Sequence, residues 1–375
     1  MTLSRDALWG YLSQGLQYGA ALLVLPLLLR SLTGPELGIW YVFLAIASFA
    51  SLLDFGFTPT LARNVSYVSS GSRRILAHGY EVVEEGGSVD YALLDGVIAT
   101  SRSFYAYLAL ATLVVLATVG TLYIESISGP LGNKTSLWLS WGLFVAATVL
   151  LFYFKYFTPI LQGRGLFVEY YKATALSNLA FIAATAILLL MGLGLFAVSF
   201  GYLTSALVGR QLSWYYLKKQ EFYAELKLAS WRGNHSDLFK ILFHNAWRMG
   251  AGVIGAFLIL RANTMLASSY LGLEVTATYA LSLQITTAVQ SMALVVVSVQ
   301  LPRLTQLRIA GNLEEMRALL IRTGAQSVAF HLIGVAALVA VGSPLIRQIG
   351  GNSDLLPRDL LAWIGLMSLL ELIHT

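Results

Sequence analysis

The sequence predicts an all-α polytopic membrane protein built as two parallel-repeat helical lobes, the second of them incomplete. Three observations carry this reading. Hydrophobic residues make up 57% of the 375 residues and charged residues only 11%, with a mean hydropathy of +0.71; soluble domains carry about 25% charge. Ten apolar segments approach the roughly 20 residues needed to cross about 30 Å of hydrocarbon. A weak repeat also relates the start of the chain to its middle.

The segments lie near 8–29, 39–60, 103–123, 137–160, 173–191, 195–217, 246–269, 276–299, 323–343 and 359–374. The first follows Arg5 without a small-residue cleavage pattern, so it reads as a retained span and not as a removed signal peptide. The second holds Asp54, Gly56 and Pro59, and proline there is expected to bend or break it. The fourth ends in "LLFYFKYFTPI", with Lys155 among aromatics. Only "GLG" at 192–194 separates the fifth from the sixth, which favours antiparallel neighbours. The seventh contains "FLILRANTML", with Arg261 and Asn263 inside a bilayer span. The chain ends within the tenth, at "LMSLLELIHT".

Lys and Arg set the orientation. With the N-terminus in the cytoplasm, 19 of the 24, Arg63, Lys155 and Arg210 among them, fall on the cytoplasmic side or on span ends touching it. The other side keeps Arg30, Lys134, Arg347 and Arg358, and Arg261 belongs to neither. This asymmetry accounts for the net charge of +5 without nucleic acid. The chain has no cysteine, which excludes disulfides, thiolate zinc sites and thiol catalysis, and its five His are scattered. The largest cytoplasmic connections are 61–102, with an acidic stretch read as an interfacial helix pair, and 218–245. No Gly-rich phosphate loop is present.

The repeat sets "LTGPELGIWYVFLAI" at 32–46 beside "LGLEVTATYALSLQI" at 271–285, each at the outer turn between two spans. Glu36 to Glu274 is 238 residues and Arg63 to Arg303 is 240. A near-constant offset between segments that both start inside implies parallel repeats about an axis along the membrane normal. The expected organisation is an N-terminal lobe at 1–217, a cytoplasmic linker at 218–245 and a C-terminal lobe at 246–375 of about four spans. Two six-span lobes need twelve spans, so the chain is either shorter than its relatives or a truncated product.

The stretch "LPLLLRSLTGPELGIWYVFLAIASFASLLDFGFTPTLARNVS" resembles the opening of bacterial polysaccharide exporters, the Wzx-type O-antigen flippases of the multidrug/oligosaccharidyl-lipid/polysaccharide superfamily. The features that carry the resemblance are the Leu-Thr-Gly-Pro-Glu-Leu-Gly turn, the Leu-Leu-Asp-Phe-Gly run ending at Arg63, "PILQGRGLF" at 159–167 and "LRANTMLASSYLG" in the seventh span. The resemblance implies a MATE-like, V-shaped pair of six-helix lobes around a central cavity that opens alternately to each side. It implies as cargo an oligosaccharide on undecaprenyl diphosphate, turned from the cytoplasmic to the outer leaflet of the bacterial plasma (inner) membrane. The expected partners are that lipid-linked oligosaccharide, membrane lipids and other polysaccharide-assembly proteins, with no nucleic acid, metal or cofactor. Proton or sodium coupling stays open, and Asn263 stands where the family often has an acidic residue.

The polar residues inside the spans are the candidate site. Arg261 lies about 18 Å along the seventh helix if that starts near Met249. It reads either as an interface or paired arginine, or as a cavity cation for the diphosphate, a role that suits a permanently charged planar donor fork. Thr264 and Ser268 extend its face and are expected to be solvated with it. Lys155 reads either as a snorkelling lysine among aromatics at the inner interface, or as a cation where a cytoplasmic-leaflet diphosphate would first enter. Gln14 and Gln17 in the first span, and Tyr279, Ser282, Thr286 and Gln290 along one face of the eighth, read as interhelical hydrogen-bonding groups or as cavity lining. The substrate-binding set is therefore Arg261, Lys155, Asn263, Gln14, Gln17, Thr286 and Gln290. Asp54 reads either as a structural acid near the interface, or paired with Lys155 or Arg63, and is the gating or coupling candidate together with Arg63. His331 in the ninth span reads as a packed, hydrogen-bonded histidine.

Two other functions compete. A MATE-type multidrug/cation antiporter would ask for coupling carboxylates in the cavity, and the deep acids are few, essentially Asp54 and Glu371. A membrane-embedded polysaccharide polymerase or glycosyltransferase would ask for placed acid–base groups and a large loop or nucleotide-sugar domain. Transport, not catalysis, is the expectation.

Overall fold

Leu-Thr-Gly-Pro-Glu-Leu-Gly folds into a capped helix start. In the computed structural model, which describes residues 5–76, 88–129, 131–244, 246, 255, 262–298, 300, 303–304, 307–308, 310–349 and 352–374, α1 (Arg5–Ser31) ends one residue before it. α2 (Gly34–Ser51) begins inside it. The Thr33 hydroxyl accepts from the Glu36 N–H at 3.4 Å, and the Glu36 carboxylate accepts from the Thr33 N–H at 2.9 Å. This reciprocal pair satisfies two helix-end donors, and Pro35 fills a first-turn position where no N–H is needed. We call the end where α1 begins the near end of the bundle, and the end where it finishes the far end.

The second and fourth expected spans are each broken. After α2 comes a 3-10 turn at Leu52–Asp54, then Phe55 and Gly56 in left-handed conformations (φ 44° and 72°), then α3 (Phe57–Ser69). α6 (Lys134–Phe154) gives way at Lys155 and Tyr156 to α7 (Phe157–Gly163). Both resumed helices open with Phe-Thr-Pro, at 57–59 and 157–159, and the two pack against each other. Pro59 therefore starts a helix where the sequence suggested it would break one; the reversal is made by Phe55 and Gly56 before it. Gly163 lets α7 approach closely, because a Cβ there would lie 2.5 Å from the Ala62 carbonyl oxygen.

α4 (Tyr91–Val115) runs through a π-helical turn at Leu116–Gly120 into α5 (Thr121–Ile127). α8 (Phe167–Leu190) and α9 (Gly194–Lys218) are antiparallel neighbours, as the three-residue connection predicts, and α8 also packs on α1 and α9 on α6. Small residues make the α8–α9 contact: a Cβ on Gly201 would meet the Thr185 hydroxyl at 2.0 Å and the Phe181 carbonyl at 3.2 Å. Gly201→Val is expected to lower stability by about 1–3 kcal/mol through overpacking. Thermal unfolding in detergent measures it, and Thr185→Ala in the same chain should recover part of the loss.

The linker expected at 218–245 is α10 (Phe222–Leu228) followed by a helical stretch at 235–244. It lies against the start of α4: the Trp231 N–H donates to Asp95 at 3.1 Å, and Thr100 Oγ1 and His235 Nδ1 are 2.9 Å apart. Of the acidic stretch read as an interfacial helix pair, residues 77–87 lie outside the described residues and Tyr91 begins α4.

The second half of the chain contributes α11 (Ala262–Tyr270), α12 (Leu273–Ser298), α13 (Leu313–Ile349) and α14 (Arg358–His374). The expected seventh span is described only from Ala262 onward, apart from the isolated residues 246 and 255, and Arg261 lies outside the described residues. α12 starts at Leu273, 239 residues after Gly34 starts α2, which matches the offset of the repeat. The two copies of the repeat pack directly on each other. Gly38 makes this possible, because a Cβ there would lie 2.2 Å from the Leu273 carbonyl oxygen.

The contact between the halves concentrates at the far end. Asn352 donates from its backbone to the Leu29 carbonyl at 2.9 Å and from its side chain to the Leu32 carbonyl at 3.0 Å. Tyr41 donates to Gln284 at 2.6 Å, and Tyr123 on α5 donates to the Met265 carbonyl of α11 at 2.7 Å. One apolar core joins α1, α2 and α6 to α12, α13 and Leu355 there. A second core fills the near end and holds no described residue beyond Ala246.

Six helical stretches among the described residues are long and apolar enough to cross a membrane: Gly34–Asp54, Tyr91–Ile127, Lys134–Gly163, Phe167–Leu190, Leu273–Ser298 and Leu313–Ile349. The protein is a multi-pass membrane protein, and every described element is helix or connection, without a strand.

Candidate functional site

The two helix breaks face each other, and a polar cluster joins them. Asp54 ends the 3-10 turn and is buried, at 6% exposure. Its carboxylate accepts from Tyr105 at 2.8 Å, from Thr58 at 2.9 Å and from Lys155 Nζ at 3.1 Å. The Thr58 and Tyr105 hydroxyls also meet at 2.8 Å. A carboxylate costs several kcal/mol to bury unless donors compensate it; here a cation and two hydroxyls do. Lys155, at the other break, keeps about a third of its side chain accessible and passes 5.5 Å from the Phe152 ring centroid.

That accessible part of Lys155 lines a cavity of about 370 Å³ between α6, α7, α8 and α9. Arg210 of α9 lines it too, its guanidinium stacked 4.6 Å from the Phe154 ring centroid. Hydroxyls from Ser51, Thr158, Thr174 and Ser213 complete the wall, those of Ser51 and Thr174 donated to the Ser48 and Tyr170 carbonyls. The breaks matter here: a helix that pauses at Lys155 carries a cation into the bundle instead of ending with it at the surface.

A second cavity, of about 320 Å³, continues from the first toward the far end and shares Asn178, Tyr202 and Ser205 with it. It lies between α1, α2, α8, α9 and α12, so both halves of the chain contribute. The Asn178 Nδ2 is buried and has no hydrogen-bond partner among the described residues, which costs about 1–3 kcal/mol. A third, larger cavity of about 610 Å³ between α2, α4, α5 and α11 is almost wholly apolar.

The sequence candidates scatter against this geometry. Asp54 and Lys155 come together, and of the two partners expected for Asp54 the structure selects Lys155, since Arg63 is exposed on α3. Arg261 and the side chains of Gln14 and Gln17 lie outside the described residues. Asn263 is on the exposed face of α11 and lines none of these cavities. Thr286 is fully buried with its hydroxyl donated to the Ser282 carbonyl at 2.8 Å, and Gln290 is buried outside both cavities. Thr264 and Ser268, expected to be solvated, are buried at 2% and 4%, with Ser268 hydrogen-bonded to Tyr123 at 2.7 Å. Ser268 lies in the contact between α5 and α11, and with Thr264 buried too that face of α11 is packed. His331 is buried with Nε2 3.2 Å from the Gly365 carbonyl and 3.1 Å from Ser368, the packed histidine expected.

Arg210, Asn178 and Tyr202 were not legible as site residues. Arg210 counted among the cytoplasmic-side cations, although it lies eight residues before the end of α9 at Lys218, more than two turns inside the helix. That depth was the available signal.

The chain matches the family model described as "Polysaccharide biosynthesis protein" over residues 3–308. No curated protein matched it. Among solved structures it is similar to one described as "Inward-facing conformation of a multidrug resistance MATE family transporter of the MOP superfamily". That match has a TM-score of 0.63 and 14% identity, over 95% of this chain and 76% of that one. It is also similar to "Crystal structure of MATE in the bent conformation", with a TM-score of 0.49 and 16% identity, over 96% of this chain and 74% of that one. The first of these matches shows that the fold is MATE-like.

Proposed function

The chain belongs to the polysaccharide biosynthesis protein family, and from that premise we propose that it is a flippase, carrying a polyprenyl-diphosphate-linked oligosaccharide from the cytoplasmic to the outer leaflet of a bacterial inner membrane. The observation that carries this reading is the pair of cations, Lys155 and Arg210, on the wall of a cavity sunk among membrane-spanning helices. Cations in such a setting are expensive and are retained for a ligand or a pathway. Asp54 already offsets Lys155, so a diphosphate supplies counter-charge chiefly to Arg210, whose planar fork suits its oxygens.

The near end is the cytoplasmic one in this proposal, with the N-terminus inside. The first lobe is 1–217, the linker 218–245 travels with it through the Trp231–Asp95 contact, and the second lobe begins near 246. Among the described residues the halves then meet at the outer end, as a state ready to receive cargo from the cytoplasm requires. Rocking about the α2–α12 seam would expose the same cavity to the other side. Asp54 is already saturated by three donors, which favours a structural latch over the free coupling carboxylate that an antiporter asks for. We assign Arg261, expected in the seventh span, to the same cargo as a further cation. Polysaccharide-assembly proteins are the natural partners of such a step.

In a strain lacking the gene, complementation by Arg210→Ala is expected to deliver at most a tenth of the wild-type surface polysaccharide at equal protein level, with lipid-linked repeat units held in the inner leaflet. Wild-type delivery by the uncomplemented strain would sink the flippase reading. Lysine at 210 should restore part of the output, since it keeps the charge and loses the fork.

A further inference from the structure

The second cavity differs in chemistry from the first. No charged side chain lines it among the described residues, and its walls combine the Tyr41, Phe181 and Tyr202 rings with the amides of Asn178 and Gln284. The Tyr202 ring is held in place: Phe144 stacks on it at 5.3 Å and 15°, and Trp40 meets it edge-on at 6.2 Å. Gln284 accepts from Tyr41 through its oxygen at 2.6 Å, which keeps its two N–H donors for another group. Asn178 Nδ2, buried and without a partner, sits where the two cavities join. Its volume of about 320 Å³ falls at the lower end of small-molecule sites, about 300–1,000 Å³.

A ligand for this space must be uncharged, rich in acceptor oxygens and apolar on its faces. It must also continue from an anion, because the space opens directly off the Lys155–Arg210 cavity. A glycosyl ring attached to a diphosphate meets all four conditions. Tyr202 stands eight residues before Arg210 on α9, about 12 Å along the helix, so a diphosphate at Arg210 directs its first sugar toward Asn178.

We propose that this cavity is a neutral-sugar subsite, in which Asn178 Nδ2 donates to a hydroxyl or acetamido oxygen of the sugar nearest the diphosphate while the fixed Tyr202 ring takes its CH face. The inference rests on the diphosphate-linked cargo proposed above and names the part of it that this protein reads. Asn178 is the specificity-determining residue. Both halves of the chain wall the subsite, so occupancy by sugar links the two lobes, whereas the described residues lining the cation cavity all come from the first lobe.

The test measures binding of two short-chain probes to the purified full chain: farnesyl diphosphate, and farnesyl diphosphate bearing one N-acetylglucosamine. The wild-type protein is expected to bind the glycosylated probe about fivefold or more tightly, the range of one well-made hydrogen bond with its ring contact. Asn178→Ala should bring the two affinities within about twofold of each other, and a wild-type-like thermal unfolding midpoint in detergent shows that the variant is folded. Arg210→Ala should weaken both probes together. A wild-type protein that binds farnesyl diphosphate but gains nothing from the sugar, or an Asn178→Ala variant that keeps the gain, overturns the subsite and leaves the diphosphate reading standing. Failure to bind either probe overturns both.

Discussion

Gly38→Val is expected to hold the two halves apart at the far end and to abolish transport. The added Cβ would lie 2.2 Å from the Leu273 carbonyl oxygen, 2.9 Å from its carbon and 3.1 Å from its Cα. All three are backbone atoms at the start of α12, so no rotamer change relieves the clash, and the helices must separate. The seam is built for closeness along its length: Gly34 faces Glu274 and Ser353, and Asn352 reaches both Leu29 and Leu32. The absence of cysteine makes the measurement clean, because Gly34→Cys with Ser353→Cys, where a Cβ on residue 34 would lie 3.7 Å from the Ser353 hydroxyl oxygen, reports the seam without background thiols. Oxidative cross-linking should be efficient in the otherwise wild-type chain and fall at least about tenfold with Gly38→Val, a shift of about 1.4 kcal/mol or more toward the separated state. Equal cross-linking in the two would mean that the seam tolerates a side chain and is not the closure surface.

The second large effect belongs to the latch between the helix breaks. Lys155→Met should destabilise the protein by about 2–3 kcal/mol, somewhat below the about 3–5 kcal/mol of a fully buried pair because Lys155 is about a third exposed. Asp54 would then keep only the Thr58 and Tyr105 hydroxyls as donors. Asp54→Asn in the same chain removes the stranded charge and should recover about half the loss. Thermal unfolding in detergent of the wild type, both single variants and the double variant closes the cycle, and additive losses would show that the two breaks are not joined through this pair.

The elements legible in the sequence are those written in local chemistry. Thr33, Pro35 and Glu36 carry a capping signal that sets the start of α2 at Gly34, ahead of the span expected from 39, and the near-constant repeat offset matches the start of α12 at Leu273. The short "GLG" connection announces the α8–α9 pair. Where tertiary contacts decide, the reading went less far. Phe55 is a non-glycine residue in a left-handed conformation, and residue type alone does not advertise that. The hydroxyls of Thr264, Ser268 and Thr286 look like cavity lining on a helical wheel, yet packing or a carbonyl one turn back claims them. The Asp54–Lys155 pair was within reach because both residues interrupt apolar spans at similar depth. Arg210 was lost to a count that sorts cations by side of the membrane and ignores how far inside a helix each one stands.

The central claim is that Lys155 and Arg210 form an anion-binding cavity through which a diphosphate-linked glycan crosses the bilayer. The most direct measurement is transbilayer movement of a fluorescent farnesyl-diphosphate-linked sugar in proteoliposomes, followed by quenching from outside. Wild-type protein should make the whole probe pool accessible, and the Lys155→Met/Asp54→Asn/Arg210→Ala chain should move it at least about tenfold more slowly at matched reconstitution. Equal rates in the two preparations, or wild-type rates no faster than protein-free vesicles, would contradict the account.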